Sequence, residues 1–105
     1  MNIRLLLSIP VLLALGACTW VPPTTQGRAV MLVKGTHVEH CQRLGATTTS
    51  VKYRIGPITR PESKVTEELV TLAKNEAADA GGDSIVARGP MQEGSMTFDI
   101  YKCAK

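Results

Sequence analysis

Large aromatic rings are scarce in this chain. One Phe, one Trp and two Tyr (Phe98, Trp20, Tyr53 and Tyr101) are all that its 105 residues contain. A chain this short forms one domain at most, and a small core without rings is marginal, so a covalent staple is a natural supplement. Charge of one sign is also lacking. The formal net charge of +3 falls to +2 once Arg4 is set aside with the leader, too weak a field to argue for a polyanion, and no nucleic-acid partner is expected. No internal repeat, low-complexity segment or change of composition marks a second domain. The longest apolar run, Leu5 to Leu15, is short for a permanent membrane-spanning helix. Cysteine is sparse and its count odd: Cys18, Cys41 and Cys103 require an explanation for the one left over.

What is present centres on residues 62–82. Val65, Leu69, Leu72, Ala73, Ala77 and Ala80 recur at three- and four-residue spacing, which predicts one apolar stripe along a helix. Glu67, Glu68, Lys74, Asn75 and Asp79 fall on the other side and are expected to face water. Ser63 is placed to cap the first turn, and Gly81 to end the helix in a left-handed conformation.

Strands are expected on both sides of this helix. Ala29 to Val33 is a continuous apolar run between glycines, read as a strand buried on both faces. Residues 35–45 form a loop carrying His37, His40 and Cys41. Thr47 to Ile55 alternates, with Val51, Tyr53 and Ile55 on one side, and Gly56 to Pro61 turns the chain into the helix. Ser84 to Ala87 is a short strand, Gly89-Pro90 with Gly94 marks a hairpin loop, and Met96 to Cys103 is the last strand, with Met96, Phe98 and Ile100 on one face. Strand, helix and strand over residues 47–87 suggest a crossover between two parallel strands. The expected fold is α+β: a small mixed sheet of about four strands with one helix packed on a face.

The start of the chain carries a different signal. Arg4, the apolar run and the small pair Gly16-Ala17 before Cys18 have the form of a targeting segment over residues 1–17. Leu15-Gly16-Ala17-Cys18 resembles the lipobox of bacterial lipoproteins. That resemblance implies a diacylglyceryl thioether and an acylated amine (palmitate) on Cys18, and two or more acyl chains hold a protein on a membrane stably. Thr19, in place of an Asp, implies sorting to the outer membrane with the body facing the periplasm. Residues 18–27, with Pro22-Pro23, read as an extended tether that stands the body of residues 28–105 off the lipid, with Trp20 at headgroup level or packed on the domain.

Further motifs carry a resemblance over most of residues 37–103: Cys41-Gln-Arg-Leu-Gly45, the segment at Val51, Val65 to Ala78 with its Asn-Glu-Ala, Gly82-Asp-Ser-Ile-Val86, and Thr97-Phe-Asp-Ile-Tyr-Lys-Cys103. In this order they resemble a family of small bacterial outer-membrane lipoproteins of unknown function, the YjeI-like proteins. The layout is more distantly similar to the signalling domain of the envelope-stress lipoprotein RcsF. With Cys18 consumed by lipid, Cys41 and Cys103 remain as an even pair in an oxidising compartment, and a disulfide between them is expected.

No chemistry-bearing constellation is complete. His37, His40 and Cys41 offer three metal ligands, but a bridged Cys41 is a poor one; Met91 and Met96 would add thioethers suited to Cu(I). Gly81-Gly82 follows a helix instead of opening one, so it is a stop and not a phosphate cradle. Ser63, Ser84 and Ser95 have no nucleophile context, and Glu67, Glu68, Glu76 and Asp79 read as a solvated helix face. The expectation is a non-enzymatic lipoprotein without a cofactor, held by its lipid and binding another envelope component, with envelope-stress sensing as the suggested role. The alternative is a small metal or ligand carrier using His37, His40 and the methionines.

Overall fold

Phe98, Leu69, Ile85 and Val65 are the largest side chains fully out of water, and they mark where one helix meets one sheet. The computed structural model describes residues 21–104. The strands are β1 (Met31–Leu32), β2 (Gln42–Ser50), β3 (Arg54–Ile55), β4 (Ile58–Thr59), β5 (Ser84–Ala87) and β6 (Ser95–Lys102), with α1 (Glu62–Asp79) between β4 and β5. The main sheet has the order β1-β5-β6-β2, and β3 and β4 form a separate hairpin. This is the α+β fold expected, with four strands, one helix and a Cys41–Cys103 disulfide.

Val65, Leu69, Ala73 and Ala77 of α1 are fully buried, as the stripe requires. The sheet answers with Phe98 and Ile100 of β6, Ile85 of β5 and Met96, so the alternation read along the last strand is realised. Gly81 has φ of 86°, which lets the chain leave the helix with its N–H on the Ala78 carbonyl. Two details of the helix differ from expectation. Pro61 occupies the N-cap and Ser63 lies inside the first turn, exposed and without a capping bond. Leu72 is only half-buried, and Ala80, the C-cap beyond the last helical residue, is exposed.

The sheet departs further. β2 and β5 do run the same way, but β6 lies between them and is antiparallel to both. The neighbouring parallel pair is β1 with β5, Met31 opposite Ser84. β2 spans residues 42–50 instead of 47–55, and its core face carries Thr49, 3 % exposed, whose hydroxyl donates to the Leu69 carbonyl at 3.1 Å. A threonine is tolerated in the core because its hydroxyl finds a helix carbonyl there. Val51 and Tyr53 pack against the core beyond the end of the ladder, while Ile55 leaves it for the hairpin. Nor is the run at Ala29 to Val33 buried on both faces: β1 is a two-residue edge strand, with Met31 63 % and Leu32 46 % exposed, and only Val30 joins the core. Apolar continuity alone does not distinguish a sandwiched strand from an edge that something else covers.

Candidate functional site

His37 and His40 sit in the connection that carries the chain from the β1 edge to the β2 edge. His37 lies within a 3-10 turn over Gly35–Val38, and both histidines are exposed. Cys41 follows, joined to Cys103 with 4.4 Å between their Cα atoms. The bridge sits beyond the Gln42–Lys102 pair, tying the start of β2 to the end of β6. Bridged sulfur is not a thiolate, so the three candidate ligands do not act together. Among the described residues no cluster of three or more His, Cys, Asp or Glu side chains is positioned for a metal. The methionines are elsewhere: Met96 is core, and Met91 Sδ accepts from the Gly94 N–H at 3.2 Å.

The face of the sheet away from α1 is polar. Thr48 and Thr97 pair through their hydroxyls at 2.8 Å, Ser50 donates to Ser95 at 3.1 Å, and Asp99 is held between Arg43 and Arg88, each 2.8 Å away. The Arg88 guanidinium, and after it Arg43, holds the Asp99 carboxyl down at about 2. Asp83 is also held below the usual range, by the N–H groups of Ala104 and Cys103, both at 2.8 Å. These carboxylates are fixed anions that bind the sheet together, unsuited to moving protons near neutrality.

Exposed apolar side chains gather at two places instead. At one edge, Met31, Leu32 and Val33 line an open cleft of about 790 Å³ with Lys34, His37 and Val86. At the other, Ile55 (47 % exposed) and Ile58 (65 % exposed) flank the Gly56-Pro57 turn of the β3–β4 hairpin. The hairpin is firmly based. Arg60 donates to Glu68 of α1 at 2.6 and 3.1 Å and to the Lys52 carbonyl at 2.7 Å, and the Arg60 and Glu68 side chains are largely buried. Glu68, expected to face water, is therefore an ion-pair partner, and Glu76 likewise accepts from Thr47.

Asn75, also expected to face water, is half-buried and bonded to the segment that precedes β1. Its Oδ1 accepts from the Thr24 N–H (2.9 Å) and hydroxyl (3.2 Å), and its Nδ2 donates to the Pro22 carbonyl (3.2 Å). Gly27 lies so close that a Cβ there would overlap the Asn75 side chain. Residues 22–27 are consequently fastened along α1 and are not a free spacer; the stand-off expected of the tether is absent from Pro22 onward. Cys18, Thr19 and Trp20, with the lipobox-like stretch, lie outside the described residues.

A family model described as a domain of unknown function, DUF4156, matches residues 21–103. The chain belongs to that family. Comparison with curated proteins and with solved structures returns no match. The matched span opens where the tether docks and closes on the second cysteine of the bridge, so the docked segment is part of the family's domain.

Among the sequence-derived site residues, the structure brings Cys41 and Cys103 together and leaves His37 and His40 as exposed loop side chains. Sequence reasoning missed Asn75, Arg60, Glu68, Arg43, Asp99 and Arg88. One signal was available: an Asn in a helix interior is unfavourable on its own account and needs an outside partner. No helix among the described residues is long and apolar enough to cross a membrane.

Proposed function

We propose that the protein is a non-enzymatic lipoprotein, held to the outer membrane by lipid on Cys18, with its body in the periplasm and its activity the binding of another envelope component. The observation that carries the binding role is the β3–β4 hairpin. Two isoleucines stand in water at the tip of a hairpin whose base is clamped to α1 by a largely buried Arg60–Glu68 pair. Exposing large apolar groups costs a lone domain solubility, and such patches mark contact sites. A rigid base reduces the ordering cost of binding. The anchor rests on the lipobox resemblance of Leu15 to Cys18, and the outer-membrane address on Thr19. Likeness to the YjeI-like lipoproteins and to the RcsF signalling domain points to an envelope protein as the partner and to stress sensing as the context. The carrier reading is weaker, since Cys41 is bridged and Met96 is core.

Two experiments test this reading. Cells fed radioactive palmitate incorporate label into the wild-type protein and none into Cys18→Ala; equal labelling of both removes the anchor. A photo-crosslinking residue at position 58 captures an envelope protein that the same residue at Thr48, on the polar sheet face, does not. Identical products from the two positions dismiss the hairpin as the contact.

A further inference from the structure

The cleft at the β1 edge is lined mainly by apolar side chains, with Lys34 as its one lysine or arginine. Met31 and Leu32 are the exposed apolar residues, and Arg28 and Lys34 bracket them in sequence, both exposed. Between residues 21 and 38 no Asp or Glu occurs at all. The nearest carboxylate across the strand pair, Asp83, is turned away to the backbone N–H groups of Cys103 and Ala104. An apolar pair bracketed in sequence by two cations fits a surface that is hydrocarbon beneath and phosphate above.

Position favours the same occupant. Residues 22–27 are fastened to α1 at Asn75, so only three residues separate Cys18 from the docked segment, a span of at most roughly 14 Å. A body on so short a lead stays within roughly two headgroup depths of its anchor and keeps one face toward the lipid. The chain passes directly from that docked segment into β1. The hairpin follows β2, the strand at the other edge of the sheet, and is clamped at Glu68, seven residues nearer the helix N-terminus and about 10 Å along α1 from Asn75.

We propose that the β1 edge is the membrane-contacting face of the protein: Met31 and Leu32 enter the headgroup layer of the bilayer that holds the lipid anchor, and Arg28 and Lys34 lie against its phosphates. The proposal rests on lipidation at Cys18. Asn75, which fastens residues 22–27 to α1, then keeps this edge close to the anchored end of the chain.

The test uses the full lipidated protein in vesicles of phosphatidylethanolamine and phosphatidylglycerol. With Cys18 in a thioether and Cys41 bridged to Cys103, a thiol introduced by Leu32→Cys is the one free to take a nitroxide label. The expected result is flotation with the vesicles, and a label at position 32 several-fold less accessible to an aqueous nickel chelate and more accessible to oxygen than one at Thr48→Cys. Met31→Cys repeats the measurement should Leu32→Cys fold poorly. A protein that floats while labels at 31 and 32 are as open to the chelate as the one at 48 overturns the proposal and leaves the anchor standing. A protein that does not float overturns the anchor, and this face with it.

Discussion

Removing the Cys41–Cys103 bridge tests the claim that a core poor in rings depends on a covalent link. The two cysteines are 62 positions apart, and a closed loop of that size removes unfolded-chain entropy equivalent to about 4 kcal/mol. The described core contains a single aromatic side chain that is fully buried, Phe98, and its helix contributes two alanines to the contact stripe. Domains of this size gain only about 3–5 kcal/mol from a single core, so the bridge is comparable to everything else. At roughly 4–8 °C per kcal/mol, the loss corresponds to a fall in Tm of on the order of 20 °C. The assay is thermal unfolding of Cys41→Ser, Cys103→Ser and the double variant, followed by circular dichroism. All three are expected to fall together, since either substitution opens the same loop. A shift below about 5 °C refutes the reasoning, as does a double variant well below the singles, which would mean that the serines damage packing independently.

Three further outcomes are expected. Phe98→Ala empties the centre of the helix–sheet contact and costs about 3–5 kcal/mol in urea unfolding; a loss under about 1 kcal/mol would mean that the core closes around the gap. Asp99 has a folded pKa lowered to about 2, so its contribution is complete above its unfolded value near 3.9 and disappears as pH falls through about 2. The shift corresponds to about 2 kcal/mol, discounted to about 1 because Arg43 and Arg88 are half-exposed; wild type therefore loses more stability than Asp99→Asn between pH 4 and 2, and parallel curves count against the Arg43–Asp99–Arg88 triad. Asn75→Ala removes three hydrogen bonds to the docked segment, costs about 1 kcal/mol, and speeds amide exchange at Thr24 while leaving β6 protected; unchanged exchange at Thr24 would show that Asn75 does not hold the segment.

The sequence by itself determined the parts that depend on near neighbours. Val65, Leu69, Ala73 and Ala77 are three or four residues apart, and that spacing places them on one helical stripe whatever it packs against. Met96, Phe98 and Ile100 alternate and share a face for the same reason, and Gly81 ends the helix through its own backbone freedom. Pairing Cys41 with Cys103 followed from counting once Cys18 was assigned to lipid. Only the tertiary structure decided who meets whom across long separations. Thr24 and Asn75 are 51 residues apart, and Arg43 and Asp99 are 56 apart. Periodicity says which face a side chain takes but not which element lies opposite. Hence β6 could come between the two parallel strands of the crossover, Thr49 could enter a core through a helix carbonyl, and Met31 and Leu32 could be left in water at an edge. Local propensity acts over one or two turns of chain, whereas strand order and surface patches depend on which distant segments close the sheet.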